Sequence, residues 1–266
     1  MKVGHIVSSL LMGGIQRFVL SLARQQVVDG HGVVVFVLNG DPEPSFAAEL
    51  TEAGVDIVCL YKRNNQDPRA MLRLGRAMRA SGIDVLHTHG YPLVYALPPA
   101  LLQGVPVVHT LHALMEVEIA RGTVGFYRAA IASRVPFVAI SDAVAASFRR
   151  RFGASAEVID SGVDLERFSR SVDRAAVRAQ YGIPADARVV TTVARAELVK
   201  GVDLALEAFC RVAPTVPDVH WVMAGDGAAL PALRQAVPAA LSDRVHLLGL
   251  VTDVPPLLRA SDAFLL

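Results

Sequence analysis

The chain has 266 residues, 53% of them hydrophobic and 19% charged, and a net charge of +1. That balance excludes a disordered chain and gives enough material for one large packed domain or two ordinary ones. Near-neutral charge leaves nothing global to steer the protein to nucleic acid or to a membrane surface.

The opening residues, MKVGHIVSSL, carry one lysine and no long apolar core, and read as a first strand, not a leader. Further β-branched runs follow at Gly32–Leu38, Val55–Leu60, Val85–Thr88, Pro106–Thr110, Phe137–Ile140 and Glu157–Ile159. Between them lie amphipathic helical patterns, among them Ile15–Asp29, Pro68–Ser81 and Asp142–Phe152. Near-continuous apolar strands separated by helices indicate a parallel sheet covered on both faces. The alternation pauses in the polar stretch Asp160–Arg174, then resumes with strand Val189–Val193, helix Lys200–Val212, strand Val219–Ala224, helix Ala228–Ala239 and strand Val245–Leu247. The last fragment, SDAFLL, reads as one more strand. The expectation is an α/β protein of two Rossmann-like, doubly wound parallel-sheet domains, 1–165 and 166–266, the second incomplete. No window supplies about 18 uninterrupted apolar residues, the nearest being broken by prolines and a glycine. The two cysteines, Cys59 and Cys210, sit in apolar runs without redox or metal-ligand spacing and read as buried small hydrophobes. A reducing, cytoplasmic setting is expected.

Three places could carry chemistry. In SSLLMGGIQRF, Gly13 and Gly14 join the first strand to a helix, where glycines admit a ligand to the backbone and the helix end favours an anion. The spacing is not that of a dinucleotide-binding turn, and a simple tight turn, without a ligand, is the lesser reading. Next, DVLHTHG and VVHTLHAL set His87, His89, His109 and His112 at the carboxyl ends of two strands, the edge where open α/β sheets bind ligands. Alternation puts His87 and His89 on one face, with His109 and His112 differing in phase. A metal is conceivable, but no acidic or cysteine partner has convincing spacing. Two histidine pairs at one edge point to a polar cleft, whereas any one alone reads as packing.

The third place is VARAELVKGVD. This chain has only three lysines, and one of them, Lys200, sits with Arg195 where a strand gives way to a helix. A helix start is its positive end, so cations there are disfavoured unless something negative sits between them. Backbone donors and fixed charges together suit a phosphate. Gly225, Gly227 and Gly249 follow two further strands at the same edge.

Together these segments resemble glycosyltransferase family 4, the retaining, nucleotide-sugar-dependent enzymes of GT-B architecture. GGIQRFVLSLA is similar to the family's G-G-x-E/Q opening, HTHG and HTLHAL to its acceptor-side segments, and SGVDLERF to its N-G-V-D linker. ARAELVKG resembles G-R-x-x-x-x-K-G, and GDG resembles G-x-G. The resemblance implies transfer of a sugar from a nucleotide-diphosphate donor to an acceptor hydroxyl. It implies donor-diphosphate binding by Arg195 and Lys200, with the Gly14 backbone approaching the same phosphates. It gives His112 a catalytic-site role beside the transferred sugar, and Gly249 and Val251 a backbone contact to the base. It calls for no cofactor and no metal.

Ala194 stands where the family usually has Gly, and Ser161 where it has Asn. The family's E-x7-E segment, which follows the strand begun by SDAFLL, is not among these residues. A fragment of a longer enzyme is therefore expected, the alternative being a truncated, non-catalytic remnant that binds nucleotide or acceptor. A GT-B epimerase fits the same fold but matches GGIQRFVLSLA and SGVDLERF less well. No nucleic-acid partner is expected. The basic helix Pro68–Ser81 could touch anionic lipid, but a solvated face over a core stripe is the favoured reading, as it is for Arg149–Phe152.

Overall fold

The computed structural model describes every residue except Met12, Asn65, Gln66 and Ala120, and only the backbone of Arg121. The chain divides into two compact units, Met1–Val163 and Asp164–Leu266.

The first unit holds strands β1 (Lys2–Val7), β2 (Gly32–Val37), β3 (Asp56–Cys59), β4 (Val85–His89), β5 (Val107–Leu111), β6 (Phe137–Ala139) and β7 (Glu157–Val158). They form one parallel sheet in the order β3-β2-β1-β4-β5-β6-β7. The order reverses direction between β1 and β4, the switch point at which open α/β sheets leave a crevice at their carboxyl ends. β1 and β2 are buried almost from end to end, as strands covered on both faces must be. One core packs Phe36, Leu74, Met78 and Leu97 on one side of the sheet, and another packs Val19, Leu20, Phe46 and Leu50 on the other.

Local chemistry sets the helix ends. Ser141 caps the helix Asp142–Phe152 through its side chain, three arginines fill its last turn, and Gly153 ends it in the left-handed conformation. In Pro68–Ser81, Asp67 caps the start and Ala70, Leu74 and Met78 form the buried stripe. Arg73 on that helix is tied back to Asp67 at 2.8 Å and to the Leu60 carbonyl at 2.7 Å. The helix Leu93–Gln103 carries Pro98 and Pro99 in its interior. Burial of Leu93, Tyr95, Leu97 and Ala100 offsets the two hydrogen bonds those prolines remove.

The second unit pairs β8 (Arg188–Val193), β9 (Val219–Ala224), β10 (Val245–Gly249) and β11 (Ala263–Phe264) in the parallel order β10-β9-β8-β11. Its core gathers Trp221, Phe209, Leu206 and Leu233. The buried Arg178 donates to the carbonyls of Ala260 and Ala185 and to the carboxylate of Asp262, which also accepts from the Val189 N–H at 2.8 Å. This knot holds the start of β11 against β8.

Three details differ from the sequence reading. The helix expected from Lys200 begins at Val202, after a 3-10 turn over Leu198–Lys200, because Gly201 adopts φ 66° and separates the two. The helix expected over Ala228–Ala239 is the shorter Leu230–Ala236. Cys59 and Cys210 are half-buried and not enclosed. Among the described residues no helix is long and apolar enough to cross a membrane.

Candidate functional site

In the first unit, β1 and β4 are neighbours with His5 directly opposite His87. Alternation carries His89 to the same face, as the sequence indicated, and all three rings meet there. The ring centroids of His87 and His89 are 4.2 Å apart and those of His5 and His89 5.4 Å. His112, just beyond β5, joins them, its Nε2 lying 3.1 Å from Nδ1 of His89. On the other side of His89, Nε2 lies 3.1 Å from Nδ1 of His5, and Nε2 of His5 lies 2.7 Å from Oε1 of Gln26. Phe18 closes over the group with edge contacts to His89 at 5.9 Å and to His112 at 5.4 Å. His109 points the other way. It pairs with Thr88 at 2.7 Å and packs edge-on against Tyr127 and Phe137.

Burial dominates the electrostatics here, because an imidazolium cannot be solvated inside the sheet. It pushes His5 and His112 down to about 4 and His109 to about 3. Burial and the neighbouring rings take His87 to about 2 and His89 well below its ordinary value. The cluster is therefore neutral at physiological pH. Nitrogens of His5, His87 and His89 lie within 4.8 Å of one another, so these three residues are the described set that could hold a metal ion.

A carboxyl stands beside His112. Burial raises Glu118 to about 7, although the backbone N–H groups of His112 and Ala113 partly counter that by donating to it. Its Oε1 is enclosed and has no hydrogen-bond partner among the described residues. Gly14 begins the helix Gly14–Val28, whose amino end has no side-chain cap and no acidic residue in its first turn. Space beside Gly14 is open, with no atom within 4 Å of an added Cβ.

The second unit builds its carboxyl edge from backbone. The Ala194 N–H donates to the Ala224 carbonyl at 3.1 Å, Ala196 to Asp226 at 2.9 Å, and Ala229 back to Ala196 at 2.8 Å. Gly225 donates to the Gly249 carbonyl at 2.7 Å. The loops leaving β8 and β9 and the end of β10 are thus laced into one surface. Arg195 and Lys200 are exposed on it, and neither has an acidic partner within ion-pair distance among the described residues. Gly249 is buried with φ 70°, and Val251 lines a groove of about 390 Å³ with Tyr181, Leu248 and Asp253.

The structure thus brings His87, His89 and His112 together, and separately groups Arg195, Lys200 and Gly249 on one edge. Sequence reasoning missed His5, Gln26, Phe18 and Glu118. A histidine inside an apolar strand, GHIV, was the one available signal for His5.

The family model for Glycosyltransferase Family 4 matches residues 12–167, and that for Glycosyl transferases group 1 matches residues 187–266. A D-inositol 3-phosphate glycosyltransferase of Xylanimonas cellulosilytica is 33% identical over 152 residues, covering 50% of this chain and 36% of that enzyme. The UDP-Gal:alpha-D-GlcNAc-diphosphoundecaprenol alpha-1,3-galactosyltransferase of Escherichia coli is 24% identical over 281 residues, covering 100% of this chain and 73% of that enzyme. The chain spans about a third of the length of the inositol phosphate enzymes it matches. The crystal structure of Anabaena HepE in complex with UDP and glucose superposes with a TM-score of 0.82 at 22% identity, over 99% of this chain and 73% of that one. That likeness shows the GT-B fold. With the family model spanning more than half of its residues, the chain belongs to glycosyltransferase family 4.

Proposed function

We propose that the protein carrying these residues transfers a sugar, with retention of configuration, from a nucleotide-diphosphate sugar to an acceptor hydroxyl. The observation that carries this reading is the pair of exposed, acid-free cations, Arg195 and Lys200, on the laced loops after β8. Breaking the glycosidic bond moves negative charge onto the departing diphosphate. Fixed cations and backbone donors placed where that charge develops lower the barrier, because they need no reorganisation as it forms. In the first unit, the uncapped helix start at Gly14 is a further place where backbone N–H groups suit an anion such as phosphate. Gly249 and Val251 present backbone to the base, and His112 orients the sugar and the acceptor. Cations supplied by side chains take the role a divalent metal would otherwise fill at the leaving group, so the reaction as proposed uses no metal and no cofactor.

The names of the relatives make UDP the first probe. Titration of the chain with UDP by calorimetry tests the reading. Binding by the wild type that weakens at least ~10-fold in Arg195→Ala and in Lys200→Ala, but not in the surface control Arg211→Ala, is the expected result, one lost charged contact being worth about that much. Equal UDP affinity in all four proteins would overturn the assignment.

A further inference from the structure

The link from Gln26 through His5 and His89 to His112 is continuous, with separations of 2.7, 3.1 and 3.1 Å. We infer that Gln26, His5 and His89 are positioning residues that hold His112 in a single tautomer, with its Nε2–H turned inward and its Nδ1 lone pair left for a substrate hydroxyl. This rests on the role proposed above for His112.

The direction follows from donor and acceptor counting. A neutral imidazole has one N–H and one lone pair, so each ring in a chain passes on the polarity it receives. The Gln26 carbonyl oxygen can only accept, which places the proton of His5 on Nε2 and leaves its Nδ1 as an acceptor. His89 must then donate from Nε2 and accept at Nδ1. His112 must donate from Nε2, and its Nδ1 carries the lone pair. Nδ1 of His112 has no hydrogen-bond partner among the described residues. His5 and His89 are enclosed in the sheet, where an uncharged imidazole is favoured, so the counting is that of neutral rings. Phe18 packs edge-on against both His89 and His112, the two rings of the last link. His87 does not join the chain, since its Nε2 is engaged by Thr110 Oγ1 at 2.7 Å. A hydrogen-bonded chain in a low-dielectric interior polarises along its length, so the setting at Gln26 is felt at His112, three links away.

Gln26 is half-buried on the helix Gly14–Val28 and is the terminal group of the chain, contacting His5 through Oε1, so the group placed there sets the direction of every link. That makes it the handle for a test. Glutamate at this position can only accept and keeps the direction. Lysine can only donate and reverses every link, which would leave His112 with its proton on Nδ1.

The experiment is nitrogen-15 NMR of the histidine-labelled chain near neutral pH, with His112 assigned from the signal lost in His112→Asn. The wild type and Gln26→Glu are expected to show an unprotonated Nδ1 at His112, and Gln26→Lys an unprotonated Nε2. Couplings across the two N–H···N bonds, measured in the wild type, report the same links without any substitution. In sugar-transfer assays, Gln26→Glu should keep turnover within about twofold, whereas Gln26→Lys should lose on the order of 10–100-fold in kcat, the scale of a misdirected contact to substrate. An unchanged His112 tautomer in Gln26→Lys, or absent couplings in the wild type, would overturn the inference. So would stoichiometric uptake of Zn²⁺ that perturbs His5 and His89, because a metal would occupy the lone pair through which they are linked. The NMR readout needs no sugar substrate, so a wild type inactive in sugar transfer would sink the proposed function and leave the tautomer result standing.

Discussion

A side chain on Gly225 would drive into the carbonyl group of Ala194, its Cβ falling 2.8 Å from the Ala194 carbonyl carbon and closer still to the oxygen. Gly225 has φ 145°, a region L-residues rarely enter, and Gly227 repeats the arrangement against Ala196 with a Cβ 2.5 Å from its oxygen. The GDG spacing therefore lets the loop after β9 lie backbone-to-backbone on the loop that bears Arg195. Gly225→Ala should move that loop, cost roughly 1–3 kcal/mol of stability in the second unit and weaken UDP binding more than the stability loss explains. Calorimetry and denaturant unfolding followed by Trp221 fluorescence check both. Wild-type affinity in a folded Gly225→Ala would show that the loop does not position the cations.

Removal of either cation should be felt in the transition state more than in the ground state. Lys200→Ala and Arg195→Ala are each expected to cost roughly 2–4 kcal/mol in kcat/KM, the range for losing one preorganised charge stabiliser. The two losses should not add, since both cations answer the same developing charge. Steady-state kinetics of the single and double variants decide it, and strictly additive losses would place the two residues at different groups.

The fold was legible in the sequence because parallel strands buried on both faces, such as GVVVFV and VHWVMA, are short, rich in β-branched or aromatic residues and bounded by turn residues, a combination a buried helix does not share. The helix Leu93–Gln103 was not legible, since Pro98 and Pro99 mark a break and only packing in the folded unit offsets it. The same contrast runs through the site. His87, His89 and His112 advertise themselves at strand ends, as do Arg195 and Lys200. His5 and Gln26 do not, because what joins them to His89 is the adjacency of β1 and β4, a property of strand order and not of local spacing. Glu118 is hidden for a related reason. Its raised pKa comes from enclosure by residues distant in sequence, and a carboxylate in MEVEI reads as solvated.

Neutral buried histidines make the first unit acid-sensitive. Their folded pKa values lie below the ordinary 6.5, so the unfolded chain takes up protons that the folded one refuses, and stability falls as pH drops below 6.5. Each of His5, His87, His109 and His112 then costs about 2 kcal/mol at pH 5, and His89 shifts in the same direction. Together that approaches the whole stability of an ordinary domain, about 5–15 kcal/mol. Hydrogen exchange at the β1, β4 and β5 amides should show global opening becoming steeply easier between pH 6.5 and 5, with several protons taken up per unfolding event. A slope of one proton or fewer would mean the cluster is solvated in the folded protein.

Glu118 works with the opposite sign. Its folded pKa of about 7 lies above the ordinary 4.5, so the folded unit prefers the protonated carboxyl, and stability is lost as pH rises from 4.5 through 7. Glutamine has the same shape, stays neutral, and still offers an oxygen to the His112 and Ala113 N–H groups. Glu118→Gln should therefore be more stable than the wild type at pH 8, by about 2–3 kcal/mol at ~1.4 kcal/mol per pKa unit, reduced because the residue is only partly enclosed. Below pH 4.5 the two proteins should be alike. Denaturant midpoints measured at both pH values on the first unit's amides test this. A variant less stable than the wild type at pH 8 would mean that the ionised carboxylate is held there by a favourable partner, and that Glu118 supports the His112 loop as an anion.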